Sequence, residues 1–270
     1  MRVYADAGGR SHGFLLDDGV FTTIDAPGTV RTQPHGINNL GQIVGKYLDA
    51  AGRYHGFLLD NSIFTTIDAP GAISTFAYDI DDSGLIVGTA SGGATSCGAR
   101  VSGFLRDAQG RFTPIDAPGA TQTQPFGINS SGQIAGFYLD AQGALRGFLL
   151  DNGVFTTIDA TDSRRGTAIF DINDRGQLAG ACANANGKLQ GFLLDRGGFT
   201  TINVPGATGG SLPLGINNHG EIVGGYDDNC TRRGFVLSNG TFTTFAAPGA
   251  LGESYPRDID DRGRMVGFYQ

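Results

Sequence analysis

The chain has no tryptophan, three cysteines, two methionines and four histidines in 270 residues, and its lysines are Lys46 and Lys188. Each scarcity narrows the field. Cys97, Cys182 and Cys230 lack the paired spacing of a zinc site and are too few for a disulfide scaffold. One pair, Cys182 with Cys230 from neighbouring repeats, stays open. Without indole rings a sugar-stacking surface loses its best side chain, although tyrosine can take that place. The net charge of -7 disfavours nucleic acid or an anionic membrane as a partner, since either would want a basic face. No apolar run approaches the length of a membrane-spanning helix. Gly-x-Ser-x-Gly, His-Glu-x-x-His and Walker motifs are also missing, which removes the commonest sequence-readable hydrolase and nucleotide sites. No secretory signal opens the chain, which begins in mid-repeat; in a secreted protein a leader is expected to have been trimmed.

What is abundant is glycine, with 45 residues at repeating positions. Gly-Phe recurs at Gly13, Gly56, Gly103, Gly147, Gly191 and Gly234, in steps of 43, 47, 44, 44 and 43 residues. A second marker, (Gly/Asp)-Ile-(Asn/Asp), recurs at Ile37, Ile80, Ile128, Ile172, Ile216 and Ile259. Units of this length that each hold several short strands point to a radial array, in which one unit cannot bury its own apolar face alone.

The unit from Thr32 to Gly71 reads as four strands. The first is Gln33 to Asn38, closed by the tight-turn signal Asn39-Leu40-Gly41. The second starts at Gln42 and runs to Leu48. His55 to Leu59 is the third, and Ile63 to Ile67, with half-buried alternation, is the fourth. Ala69-Pro70-Gly71 suits a type II turn, because Pro fixes φ at one centre and Gly supplies positive φ at the next. The longest link follows the fourth strand, so that strand is expected outermost and the Ile-Asn strand innermost. On this phase Asp258 to Tyr269 supply two inner strands and His12 to Ile24 two outer ones, closing the ring from the two ends. The prediction is all-β: a single six-bladed β-propeller over residues 1–270, four antiparallel strands per blade, with the closing blade shared by the termini.

Specialisation is expected where the repeats differ. The residue before the marker Ile is Gly36, Gly127 and Gly215 in alternate blades and Asp79, Asp171 and Asp258 in the others. Three carboxylates leaning toward the axis would surround the channel and hold a divalent cation such as calcium. The plainer alternative has each Asp accept backbone N–H groups of its own turn or the neighbouring blade. The calcium-loop-like run Asp79 to Gly84 has Ala90 where a bidentate carboxylate belongs, so hairpin-stabilising Asx turns explain it better. One residue earlier stand His35, Tyr78, Phe126, Phe170, Leu214 and Arg257. These should form the mouth of the channel, where six loops converge; His35, Tyr78, Phe126, Phe170 and Arg257 are the candidate ligand-binding residues, and His35, Tyr78 and Arg257 the candidates for any catalytic role. Arg164 and Arg165 could add an anion contact, and the long link Ser91 to Ser102 a partial lid.

The runs Gly36-Ile37-Asn38-Asn39-Leu40-Gly41-Gln42-Ile43-Val44-Gly45 and Tyr54-His55-Gly56-Phe57-Leu58-Leu59 resemble the bacterial extracellular HAF-type repeat. The resemblance covers the chain six times over. It implies a propeller and a secreted, periplasmic or cell-surface setting, and it offers no catalytic residues. The histidine of the His-Gly-Phe strand appears at His12 and His55; Ser102, Arg146, Gln190 and Arg233 replace it elsewhere.

Three functions follow as expectations. The first is a binding propeller, monomeric, that takes a small molecule or glycan at the axial mouth. The second is a lactonase-like, metal-assisted hydrolase, with Asp79, Asp171 and Asp258 as ligands and His35 or Tyr78 moving the proton. The third is a cell-surface scaffold. The sequence does not decide whether the protein is an enzyme.

Overall fold

The computed structural model describes residues 11–92, 101–160, 166–183, 188–229, 231–247 and 253–269. Among the described residues there are six sheets of four antiparallel strands and no helix, so none is long and apolar enough to cross a membrane. Blade one runs from the innermost strand Arg31–Ile37 through Ile43–Leu48 and Tyr54–Asp60 to the outermost Ile63–Ile67. The inner strands of blades two to five are Ser74–Ile80, Gln122–Ile128, Thr167–Ile172 and Ser211–Ile216. Blade six takes Ser254–Ile259 and Met265–Tyr269 from one end of the chain and His12–Asp17 and Val20–Ile24 from the other. Gly13 pairs with Phe268 and Leu15 with Val266, so the two ends are stitched by ladder hydrogen bonds. The expected architecture and strand phase are those observed.

Local chemistry explains the turns. Third and fourth strands are joined in several blades by two residues that both have positive φ, such as Asn152 (48°) and Gly153 (79°), or Asn239 (50°) and Gly240 (77°). That mirror-image turn matches the twist of the flanking strands. In the Ala-Pro-Gly link, the Ala72 N–H donates to the Ala69 carbonyl at 3.1 Å across Pro70 and Gly71, and Gly71 has φ of 73°. The same link then ties one blade to the next. The N–H groups of Ala26, Ala69, Ala117, Ala160, Val204 and Ala247 donate to Thr32, Thr75, Thr123, Thr167, Ser211 and Ser254, at 2.8–3.0 Å. These hydroxyls are almost fully buried, so each bond satisfies a backbone donor that has no ladder partner.

The apolar core is a set of layers between blades. Val44 of blade one packs with Ile67, Ala77, Ile80, Ile86 and Phe104, and Val266 of blade six packs with Ile37, Ile43 and Phe57 of blade one. Each buried Phe contributes about 2–3 kcal/mol through removal from water. The glycine of Gly-Phe marks the seam. A Cβ on Gly13 would lie 2.5 Å from Pro34 Cδ, and one on Gly191 would lie 2.6 Å from Pro213 Cδ. The dipeptide recurs because the next blade's inner strand presses against that backbone.

Candidate functional site

Every inner strand carries a β-bulge at one repeat position. In blade one the register runs Pro34 with Gly45 and then Gly36 with Val44, leaving His35 without a partner. The same shift leaves Tyr78, Phe126, Phe170, Leu214 and Arg257 unpaired in the other blades. A bulge bends its strand and re-aims the extra side chain. Here it turns the six variable residues into one chamber on the axis, lined by all of them together with Asp79, Asp171 and Asp258. The glycine of the Gln-Ile-Val-Gly motif makes room for the bulge. A Cβ on Gly136 would lie 2.1 Å from the Gln124 carbonyl oxygen and 2.9 Å from the Phe148 ring.

The chamber is aromatic on one side and basic on the other. Tyr78 and Phe126 stack with centroids 4.3 Å apart, Phe126 meets Phe170 edge-on at 5.8 Å, and His35 meets Tyr78 edge-on at 5.4 Å. The Arg257 guanidinium lies 5.2 Å from the Phe268 ring centroid. Lys46, on the second strand of blade one, lies 4.7 Å above Phe76. Nε2 of His35 and Nε of Arg257 are buried and bonded to nothing. Burial, with Arg257 and Lys46 nearby, holds the His35 ring well below its usual pKa, so it is neutral at pH 7. Burial and Arg257 bring Lys46 down to about 8; burial brings Arg257 to about 10. The site residues expected at the mouth therefore come together. Lys46 was missed, because it lies on the second strand and no repeat marker points to it.

Below this layer the three aspartates form a partition. Asp79 Oδ1 accepts the Ile80 N–H at 2.7 Å and Oδ2 the Ile128 N–H of the next blade at 2.8 Å. Asp171 does the same with Ile172 at 2.7 Å and Ile216 at 2.6 Å, and Asp258 with Ile259 and Ile37 at 2.8 Å. The alternation with glycine is steric. A Cβ on Gly36 would stand 2.7 Å from the Asp79 Cα, with the same crowding between Gly127 and Asp171 and between Gly215 and Asp258. Burial is the main cause that lifts Asp79 to about 7. It lifts Asp171 and Asp258 well above the carboxylate range, with added repulsion from Asp258 and Asp79 on Asp171 and from Asp79 and Asp260 on Asp258.

This arrangement does not fit the hard cation expected for Asp79, Asp171 and Asp258. Each carboxylate oxygen already accepts a backbone N–H, and among the described residues no group of three or more His, Cys, Asp or Glu side chains is placed to hold a metal ion. The structure uses the carboxylates to clamp blade to blade. The calcium-like run is an Asx turn, as Asp81 Oδ1 accepts the N–H groups of Ser83 at 3.0 Å and Leu85 at 2.8 Å.

Beyond the partition, the opposite end of the channel is a polar cup of about 70 Å3. Its rim is hydrogen-bonded around the ring: the Ser130 N–H donates to Asp174, the Asp174 N–H to Asn218, the Asn218 N–H to Asp261, and the Asp261 N–H to Asn39. Larger grooves lie between blades, about 290 Å3 beside Gln190 and Asn203 and about 480 Å3 beside His12, Asp25 and Arg31. The repeat histidine is structural, with His55 bridging Asp68 at 2.8 Å and Asp49 at 3.2 Å while stacked on Tyr47. Cys182 is a half-buried free thiol. Its suggested partner Cys230 lies outside the described residues, as do Cys97 with most of the Ser91 to Ser102 link, and Arg164 and Arg165.

No protein-family model matches the chain, and no curated protein matches it. The resemblance to HAF-type repeats therefore rests on its motif residues alone. Solved structures do match. A protein assigned as TolB from Agrobacterium tumefaciens superposes with a TM-score of 0.70 at 13% identity, over 96% of this chain and 98% of that one. Aleuria aurantia lectin, solved with Fucα1-6GlcNAc, gives 0.53 at 11% identity over 88% of each chain. A gluconolactonase from Xanthomonas campestris gives 0.51 at 12% identity, over 88% of this chain and 86% of that one. At these identities what the chain shares with them is the six-bladed propeller fold.

Proposed function

We propose that the protein is a secreted or cell-surface binding propeller that takes a small molecule or a glycan at the axial mouth, through His35, Tyr78, Phe126, Phe170 and Arg257. One observation carries this reading. Six bulges aim six residues into one chamber, and five of those residues are aromatic, imidazole or guanidinium groups rather than aliphatic filler. A core position repeated six times would converge on one well-packed side chain, as the buried Ile of the marker does at all six of its positions. Binding in the neighbouring folds is an analogy of fold only. The metal-assisted hydrolase reading has no comparable support, since every oxygen of its three carboxylates already accepts a backbone N–H of its own strand or of the next blade.

The test is a glycan array joined to a thermal-shift screen of small metabolites, repeated with Phe126→Ala. For each ligand found, loss of the stacked ring is expected to weaken binding roughly tenfold or more, on the basis of about 1–3 kcal/mol for ring burial and stacking. Ser130→Ala, on the opposite cup, should leave binding unchanged. Ligands whose affinity ignores Phe126→Ala but falls with changes at Asn203 or Asp25 would move the site to the grooves between blades and end this reading.

A further inference from the structure

The described arginines and lysines of this acidic chain mostly have carboxylate or carbonyl partners. Arg111, Arg146, Arg232, Arg233 and Arg264 pair with aspartates at the surface or near it. The channel mouth departs from this, as does Arg31 in the groove beside His12, whose Nε is buried without a partner. Arg257 and Lys46 make no hydrogen bond or ion pair with the described residues; each rests on an aromatic face instead. The acidic groups nearby are committed elsewhere: Glu253 is bonded to the Tyr255 hydroxyl, and Asp79, Asp171 and Asp258 to backbone N–H groups. The Nε of Arg257 is buried without a partner, and a charged group held partly out of water unpaired is costly. His35, 7% exposed, lines the same chamber, and its buried Nε2 is also unpartnered.

We propose that this mouth is an anion site, in which Arg257, Lys46 and the His35 ring, donating from Nε2, receive a carboxylate carried on a ring-shaped small molecule. The inference rests on the reading of the mouth as the binding site. A planar carboxylate matches the fork of the guanidinium, and Lys46 adds a second donor. The chamber at the His35 and Arg257 level holds about 20 Å3, room for one water-sized group. The charged end therefore enters, and the ring remains above it against Phe76 and Tyr255. Those side chains stand one level toward the start of the inner strands, with Phe76 stacked over Tyr78 at 6.4 Å and Tyr255 over Phe268 at 4.8 Å. The partition of Asp79, Asp171 and Asp258 below, held by its bonds to backbone N–H groups, closes the floor of the chamber and stops the ligand from passing deeper. Aromatic acids and uronic acids both present this chemistry.

Calorimetric titration with benzoate and glucuronate, beside the neutral benzamide and methyl glucoside, tests the proposal on the wild type, Arg257→Gln, Lys46→Gln and Phe126→Ala. The carboxylates should bind at least about tenfold more tightly than their neutral counterparts, and Arg257→Gln should erase that preference. Which acid binds tells an aromatic ring from a sugar ring. The ligand-free Arg257→Gln protein should melt at the same temperature as the wild type or higher, since a buried unpaired charge is gone. Equal binding of neutral and acidic probes, lost in Phe126→Ala, overturns the anion site and leaves the mouth reading standing. No binding of either acid, or lower melting of Arg257→Gln with carboxylate binding intact, also overturns it. Binding that survives all three variants overturns the mouth reading itself.

Discussion

Replacing Asp171 with alanine is expected to lower the melting temperature by roughly 8–16 °C near neutral pH, and the gap to the wild type should narrow as the pH rises. The variant leaves the buried N–H groups of Ile172 and Ile216 without acceptors. At about 1–3 kcal/mol each, the loss is near 4 kcal/mol, and a domain of this size shifts about 2–4 °C per kcal/mol. The opposing effect is relief from burying a carboxylate. Asp171 is held well above the usual carboxylate range by burial and by repulsion from Asp258 and Asp79. Its folded form therefore binds more protons than its unfolded form, so its contribution is fully present below the unfolded pKa and is lost as pH rises through the folded one. Asp79, lifted to about 7, and Asp258 act with the same sign. The window to examine is about pH 6.5 to about pH 8. Below it the depressed His35 opposes the aspartates, because its unfolded form takes up the proton. Above it Lys46, near 8, has the opposite slope. His55, raised by Asp68 and Asp49 against the effect of its burial, adds to the fall with pH in both proteins and cancels in the difference. Melting curves across the window decide the matter. A gap that widens with pH would mean the carboxylate acts as a needed charge, and a small, flat gap would mean the two N–H groups find other acceptors.

The parts of this molecule that were legible in the sequence are those written in residue type at a fixed period. Gly-Phe and Ile-Asn gave the beat, Pro-Gly gave the turn, and the longest link gave the phase from which the shared closing blade follows. The Gly and Asp alternation was visible as well, but its meaning was not. Gly36 and Asp79 are distant in sequence, and only the ring shows that one makes room for the other. The bulge was hidden for another reason. A strand with one extra residue has the same letters as a strand without it, so His35 and Arg257 could be seen to vary without any sign that they lack ladder partners. Lys46 illustrates a third limit. Its chemistry depends on Arg257 across the shared seam of blades six and one, a proximity set by ring closure alone. The Thr32 and Ser254 hydroxyls that receive the link N–H groups were readable in principle, since a hydroxyl residue follows each Ala or Val at a nearly constant distance.

Gly136→Ala, like the same change at Gly88, Gly224 and Gly267, should be among the most damaging single methyl groups that can be added to the protein. Its Cβ would stand 2.1 Å from the Gln124 carbonyl oxygen and 2.9 Å from the Phe148 ring. Neither neighbour can yield cheaply. The carbonyl belongs to the bulged inner strand, and Phe148 is fully buried in the layer with Val87, Ile115, Ile128 and Ile134. Overpacking a close-packed interior costs about 1–3 kcal/mol when side chains can adjust, and more when backbone must move. An expected loss of about 3 kcal/mol or more corresponds to a drop of roughly 6–12 °C in melting temperature. Gly198→Ala is the control, because its Cβ would meet only the Asp195 carbonyl oxygen at an ordinary 3.4 Å on an exposed outer strand; it should change the melting temperature by no more than about 2 °C. The bulge also sets where Phe126 points, so the damage should reach the chamber. Tyr78 and Phe126 stack at 4.3 Å, and a displaced Gln124 carbonyl moves Phe126 off its neighbour. In a Gly136→Ala protein that remains folded at low temperature, the near-ultraviolet circular dichroism of the aromatic belt should therefore change while the far-ultraviolet sheet signal is retained. An unchanged aromatic signal at unchanged stability would show that the bulge is free to absorb the methyl group, and that the repeated glycine serves some purpose other than admitting it.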